Sequence, residues 1–537
     1  MRRLTVVVYV VSLLALLILT WSIDIFHVGV FPVPPLESER PHSSQWLGKE
    51  KFGINQLVLS GGAFERGLDA GKATARLLFS QEKELTDQLR SFLPSIFARD
   101  AFFLVIIRWF WGAEKYFEPW ATREMYGVSK SASHDFDDLG DPFTRQIAYH
   151  GLHEVGQLMV DQGSEDMGCT VVAVPHAQSW IIGRNFDFEG GRVFDSEKIM
   201  KWVFPDQGYA FISVIWAGMV GAVTGVNEFG VYISLNAAGS RDFRRHGTPS
   251  TLVLLKALQF SKTADEALQI IKDGTMFITD IFVVADRHSR TVYRVEKSPL
   301  HTEVLPYTVP LIVTNHLLSP RWSMDSINVF RRDELTSGVR AARGEQLLAA
   351  LQRKKLTDSR KVELEVLEIL RDKGEHEGKP LHLGNRRAID AQIATHAVVY
   401  NAAEHLLYVS QGPGVSGAFV GFDLAASFKA KTPVAIGRLP RDPRVSDATF
   451  SEVRGAAKVV SQVARMIRKG QCAEGEKFLQ ALAPGVGTQN YSYYSVLGDY
   501  RKCIGDVLGA KAAWKRALGM APAYPRESRA LEGKLAQ

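Results

Sequence analysis

Two patterns alternate along this chain of 537 residues: short apolar runs of strand length bounded by turn residues, and longer stretches with apolar positions every three to four residues. Residues 171–174 are a β-rich run, Pro175-His176-Ala177-Gln178-Ser179 carries turn chemistry, and 180–188 is a second extended run, which together predict a hairpin. Apolar runs over 209–218 and 219–225 lead through Val226-Asn227-Glu228-Phe229-Gly230 into a predicted strand at 231–236. Residues 250–260 and 263–272 have helical spacing, the second with Thr263 placed to cap it. Residues 277–285 and 291–295, joined by Asp286-Arg287-His288-Ser289, predict another hairpin, and 311–316, 394–400 and 406–411 further strands. Strands, then helices, then strands suit an α+β arrangement better than a doubly wound parallel sheet.

Ahead of the first hairpin, 61–79 and 81–97 alternate apolar and polar residues at helical spacing. Residues 102–111 are strongly apolar, yet Asp100, Arg108 and Glu114 bracket or interrupt them, which predicts a buried helix or pocket wall instead of a membrane segment. Residues 4–23 carry no charge, with Arg2 and Arg3 before them and Asp24 after. A helix of that length reaches about 30 Å, so a single-pass anchor is predicted, with the catalytic part on the extracytoplasmic side. The rival is a cleavable signal peptide, whose apolar part is normally shorter and ends in small residues. Pro32, Pro34, Pro35 and Pro41 predict an extended linker after it. At the other end, Tyr494, Leu497, Gly498, Ala510, Trp514, Ala517 and Pro522 fall at the spacing of a tetratricopeptide repeat, although Arg501 stands where that pattern has a tyrosine. A plain amphipathic helical hairpin is the alternative.

Composition narrows the partners. A hydrophobic share of 46% with 23% charged residues is ordinary for a globular chain with a substantial core. The net charge of +6 is spread along the chain without a basic stripe, which argues against a nucleic-acid partner. His176, His316 and His396 stand in separate contexts without metal-ligand spacing. Gly61-Gly62 and Gly190-Gly191 lack the lysine of a phosphate loop, so neither a metal nor another cofactor is predicted.

The chemistry is concentrated in the first hairpin. Gly168-Cys169-Thr170 opens it, and Gly183-Arg184-Asn185-Phe186-Asp187-Phe188 closes it, so folding back brings Arg184 and Asp187 towards Cys169. A thiol needs a nearby cation or base to become a nucleophile, because an unperturbed cysteine is mostly protonated at neutral pH. A purely structural Arg184–Asp187 ion pair is the bland alternative. The two segments resemble the start of the mature catalytic chain in the N-terminal-nucleophile cysteine hydrolases of the penicillin V acylase, bile salt hydrolase and acyl-coenzyme A:6-aminopenicillanate acyltransferase group. The resemblance spans about 169–425 and, more weakly, 59–75.

That resemblance implies a four-layer αββα sandwich of two antiparallel sheets between helical layers. It also implies a precursor that cuts its own Gly168–Cys169 bond, leaving an α-amine with a pKa of roughly 7.7–8.0 to take the thiol proton. By the same likeness Asn236 would help form an oxyanion hole, Asn315 would be a second polar site residue, and Arg331, with Arg332 as competitor, a second arginine. The expected divisions are an anchor at 1–30, a Pro-rich linker at 31–48, a helical pre-segment at 49–168 that stays bound after the cut, a catalytic domain at 169–440 and a helical tetratricopeptide-like region at 445–537. The implied activity is hydrolysis, or acyl transfer, of a small non-peptide linear amide through a thioester on Cys169, with a protein partner possible at the C-terminal helices. The competing reading is an inactive membrane-tethered interaction platform. A papain-like peptidase fits less well, since the flanking Cys-Gly-Ser-Cys-Trp pattern is missing. Cys472 and Cys503 could form a disulfide, but a sequence spacing sets no geometry.

Overall fold

Alternation explains why the first hairpin is so apolar. In the computed structural model, Val171 and Ala173 enter the layer between two sheets beside Trp202, Ile212 and Tyr232. Val172 and Val174 face the other way, against Leu348, Leu351, Val362 and Val366. Successive strand residues point to opposite faces, so a strand buried on both sides reads as one continuous apolar run. The structure describes residues 31–36, 41–92, 95, 112–151, 153–154, 156–157, 167–374, 380–482 and 484–537.

Nine strands make the first sheet, in the order β1 (Ser43–Leu47), β2 (Asn55–Gly61), β5 (Ile199–Pro205), β6 (Phe211–Ile215), β7 (Thr224–Asn227), β8 (Val231–Ala237), β9 (Asp280–Asp286), β10 (Val292–Lys297) and β11 (Thr302–Tyr307). Seven make the second: β12 (Leu311–Val313), β3 (Met167–His176), β4 (Ser179–Phe188), β13 (Ala394–Asn401), β14 (Leu406–Ser410), β15 (Phe419–Asp423) and β16 (Ala435–Leu439). Val231, Ile233 and Leu235 of β8 turn outward onto the helices Ser250–Phe260 and Ala264–Asp273. The second of these is capped by Thr263, whose hydroxyl accepts from the Glu266 N–H at 3.2 Å. On the far side, helices Ser337–Arg353 and Ser359–Leu370 cover the second sheet. The result is an αββα layering in an α+β fold. Gly183 marks how closely the last helix lies on β4: a Cβ there would come within 2.5 Å of Val366 Cγ1.

Several expectations need correction. The stretch ahead of the cysteine is not only helical. β1 lies within 31–48 and β2 within 49–168, and β2 pairs in parallel with β5, Asn55 opposite Ile199, so the first sheet is not purely antiparallel. Leu57, Val58 and Leu59 are buried in that sheet, which is why they lack the polar alternation of a surface strand. The β3–β4 turn shrinks to Ala177-Gln178, with Ala177 at φ 52°. Beyond the predicted strands at 394–400 and 406–411, the second sheet continues into β15 and β16.

The single-pass membrane localisation is also corrected: among the described residues no helix is long and apolar enough to cross a membrane. Residues 4–23, on which it rested, lie outside the described residues, as do 102–111.

Five helices end the chain: Asp447–Arg468, Cys472–Ala481, Tyr491–Cys503, Val507–Leu518 and Pro525–Ala536. Trp514 lies over Gly498, where a Cβ would meet the indole at 2.4 Å, and its ring N–H donates to Asp499 at 3.0 Å. Cys472 and Cys503 are joined in a disulfide, with 6.1 Å between their Cα atoms. This helical layer docks on the sandwich through Arg454, which shares Glu189 with Arg386, and through Arg529, 2.7 Å from Glu334.

Candidate active site

Hairpin register sets the starting geometry. Cys169 pairs with Phe186, Gly168 with Asp187 and Val171 with Arg184. Arg184 shares the inward face with Trp180 and Ile182, so its side chain crosses towards the first sheet. There Nη1 donates to Val223 O at 2.7 Å and to Thr224 Oγ1, while Nη2 donates to Leu235 O and lies 3.8 Å from Cys169 Sγ. The guanidinium is fully buried and held by both strands at the open end of the β7–β8 hairpin, a rigid mount for a charge aimed at sulfur. Burial nevertheless outweighs that charge and pushes the Cys169 thiol up from its ordinary pKa, so in the uncut chain it stays protonated at neutral pH.

The backbone of Cys169 is held as firmly as its side chain. Its N–H donates to Asn315 Oδ1 at 2.9 Å, and its carbonyl accepts from Arg340 Nη1 at 2.6 Å. Arg340 also donates to Thr170 Oγ1 at 2.9 Å and, through Nη2, to Asn315 Oδ1 at 2.7 Å. Asn315 is oriented in turn by its Nδ2, which donates to Ala237 O at 2.9 Å, and by its own N–H, which donates to Ser337 Oγ at 2.7 Å. Cys169, Arg184, Asn315 and Arg340 thus form one buried constellation.

Asp187 sits one residue away, across from Gly168. Desolvation pushes its carboxyl up to about 7, opposed by the cations Arg340, Arg386 and Arg184 and reinforced by Asp390. A carboxyl raised in the folded state adds stability that is fully present below its unfolded pKa and is lost as pH rises through its folded one. Wild-type stability is therefore expected to fall between about pH 4 and pH 7 by a contribution that Asp187→Asn lacks. Urea midpoints at pH 5 and pH 8 check this: the drop between them should be smaller in the variant, and an equal drop refutes it.

The remaining predicted residues are placed differently. Asn236 Nδ2 donates to Val313 O at 3.2 Å and Thr314 O at 3.1 Å, and its buried Oδ1 has no hydrogen-bond partner. To serve an oxyanion this amide would have to exchange one of those carbonyls. Arg331 is buried and donates to Gln157 O at 3.2 Å, and Arg332 is paired at the surface with Asp333 at 2.7 Å. The arginine hydrogen-bonded to Cys169 is Arg340, which displaces Arg331 from that position. Arg340 lies beyond Arg331 and Arg332, on the helix Ser337–Arg353 that starts after the π-helical turn Phe330–Glu334. A usable signal was present: Ser337, Arg340, Gly344, Leu348 and Leu351 form one buried helical stripe, and an arginine in such a stripe calls for a partner. Among the described residues no group of three or more His, Cys, Asp or Glu side chains converges on a metal position.

Comparison with known proteins bears on this geometry. The family model described as acyl-coenzyme A:6-aminopenicillanic acid acyl-transferase matches residues 175–393. The resemblance to that group read from the first hairpin is therefore matched by a family description, over a region that holds Arg184, Asp187, Asn236, Asn315 and Arg340 and begins just after Cys169. An uncharacterised protein of Archaeoglobus fulgidus is 24% identical over 195 residues, which are 33% of this chain. The chain spans about a third, 32%, of the length of that relative. Among solved structures, a Caenorhabditis elegans N-acylethanolamine-hydrolyzing acid amidase orthologue is similar at 16% identity and a TM-score of 0.32, covering 50% of this chain and 100% of its own. A variant of the conjugated bile acid hydrolase of Clostridium perfringens is similar at 11% identity and a TM-score of 0.34, covering 52% of this chain and 100% of its own.

Proposed function

We propose that this protein is a self-processing cysteine amidohydrolase that cleaves a small linear amide through an acyl-thioester on Cys169. One observation carries the reading: the N–H, carbonyl and sulfur of Cys169 each have their own buried partner, N–H on Asn315, carbonyl on Arg340 and sulfur against Arg184. A structural cysteine needs its backbone N–H and carbonyl paired, but not by a dedicated asparagine and arginine, and it needs no guanidinium beside its sulfur. The arrangement suits a residue whose amide nitrogen is to become a free amine and must be held in place when it does.

In the first reaction the Cys169 sulfur attacks the Gly168 carbonyl carbon, the C–N bond breaks, and the thiol proton passes to the departing nitrogen. Water then hydrolyses the thioester and leaves the new α-amine on Asn315. In turnover that amine takes the thiol proton, sulfur attacks the substrate carbonyl, and the leaving amine departs with the proton. Arg184 keeps positive charge against the sulfur, Asp187 is the carboxylate nearest the cut, Arg340 orients Asn315, and Asn236 is the side-chain candidate for oxyanion stabilisation. Release of the acyl group to water is the outcome proposed; release to a second amine would make the same site an acyltransferase.

Residues ahead of the cut would stay bound, since β1 and β2 form one end of the first sheet and leaving would strip β5 of its parallel partner. His150 accepts the Val220 N–H at 2.8 Å, and Glu124 lies 3.8 Å from the Lys201 ammonium, so buried polar contacts add to that hold. The C-terminal helices, with their tetratricopeptide-like Gly498–Trp514 packing, would be a docked cap.

Intact mass and N-terminal sequencing of the purified wild-type chain test the reading. Two co-purifying fragments with Cys169 as a new N-terminus are expected. An unbroken chain in active material would overturn it.

A further inference from the structure

A cross-strand row continues beyond the nucleophile. Cys169 on β3 is opposite Phe186 on β4, and Phe186 is opposite His396 on β13. The three lie on one face of the sheet. The His396 ring stacks on Phe186, with centroids 5.1 Å apart and planes 10° from parallel, and the Arg184 guanidinium carbon lies 4.8 Å from the centre of the same Phe186 ring. Arg184 and His396 therefore share a side-chain neighbour. They also share a hydroxyl.

That hydroxyl belongs to Thr224, buried on β7. It accepts from Arg184 Nη1, and it lies 2.9 Å from His396 Nε2. A guanidinium only donates, and a threonine hydroxyl has one proton to give. The hydroxyl oxygen can accept twice, but of these two partners only His396 Nε2 can take its proton, so Thr224 donates to Nε2. This fixes the neutral imidazole with its own proton on Nδ1, a buried atom with no hydrogen-bond partner. A protonated ring would turn Nε2 into a donor and break the order of the chain. Burial, with the cations Arg184 and Lys198 adding to it, keeps the ring neutral, its pKa well below the ordinary value.

We propose that Thr224 and His396 are a positioning pair that orients the Arg184 guanidinium against the Cys169 sulfur. The proposal rests on the reading of Cys169 as the nucleophile and goes beyond it by assigning two residues that do not touch the reacting atoms. The direction Arg184 to Thr224 to His396 gives the buried imidazole a partner at Nε2 and ties it to the guanidinium, while Nδ1 stays unsatisfied.

The test uses the full chain with Thr224→Val, Thr224→Ser, His396→Phe, His396→Gln and the Thr224→Val/His396→Phe double variant. Two rates are read: appearance of the fragments by intact mass, and alkylation of the processed Cys169 thiol by iodoacetamide across pH. Thr224→Val and His396→Phe should each slow alkylation by about tenfold, the scale of one lost hydrogen bond to a charged group, and move its pH midpoint upward. The double variant should be no slower than Thr224→Val, because the pair acts through one hydroxyl. Thr224→Ser keeps the hydroxyl, and His396→Gln can present an acceptor near Nε2, so both should regain most of the rate.

Losses that multiply in the double variant, or an unchanged midpoint in both single variants, would overturn the pair while leaving Cys169 as nucleophile. If His396→Phe fails to fold, Thr224→Val against Thr224→Ser decides on the midpoint alone. A wild type that never cuts at Gly168 fails the reading of the site and the pair together, which separates the two results.

Discussion

Cys169→Ala is expected to run as one uncut polypeptide on a denaturing gel, where the wild type separates into two pieces split after Gly168. Removing the sulfur deletes the attacking atom of both reactions, so amide turnover should fall by about a millionfold, the scale reached when a nucleophile is removed. The fold should hardly notice. Cys169 is 2% exposed and behaves structurally as a small hydrophobe, and losing one sulfur costs about 1 kcal/mol. An equal thermal midpoint beside total loss of processing separates chemistry from stability. Two fragments split at Gly168 in the alanine variant would remove Cys169 from the account.

Arg340→Met is expected to have the largest effect on stability. The guanidinium is 4% exposed and donates to Cys169 O, Thr170 Oγ1 and Asn315 Oδ1, so methionine leaves three buried acceptors short of a donor. Breaking a buried charged contact from one side costs about 3–5 kcal/mol, since the groups left behind have no water to turn to. Processing should be lost as well, because Asn315 loses the donor that sets its Oδ1 beneath the Cys169 nitrogen. Arg340→Lys should recover little, because an ammonium cannot reproduce the planar fork. Denaturant midpoints together with intact mass check this. A methionine variant that is stable and fully cut would show that Asn315 needs no second partner.

The parts of this site that could be read from the chain are those carried by local pattern. Cys169, Arg184 and Asp187 lie on one hairpin, whose register follows once two extended runs are seen to flank a short turn. Asn236 and Asn315 lie at the ends of strands recognisable as apolar runs. Arg331 shows where such reading stops. It stands in the π-helical turn Phe330–Glu334, many elements beyond the cysteine, and the contact with the Cys169 carbonyl falls to Arg340 on the next helix. β2 was missed for a related reason: running straight into a long helix, a strand buried on both faces has no alternation to show, and its partner β5 lies far along the chain. His396 was set aside for lack of metal spacing, which left unasked what else a buried imidazole could accept.

Sequence alone determined the elements and the presence of the hairpin that carries Cys169, because side-chain periodicity and turn chemistry act over a few neighbouring residues. Tertiary structure alone decided which charges meet the cysteine. Arg340 is 171 positions from it, and Thr224 is 172 positions from His396. Contacts over such separations depend on sheet order and helix packing, and burial then turns ordinary arginine, threonine and histidine side chains into fixed partners by removing the water that would otherwise satisfy them.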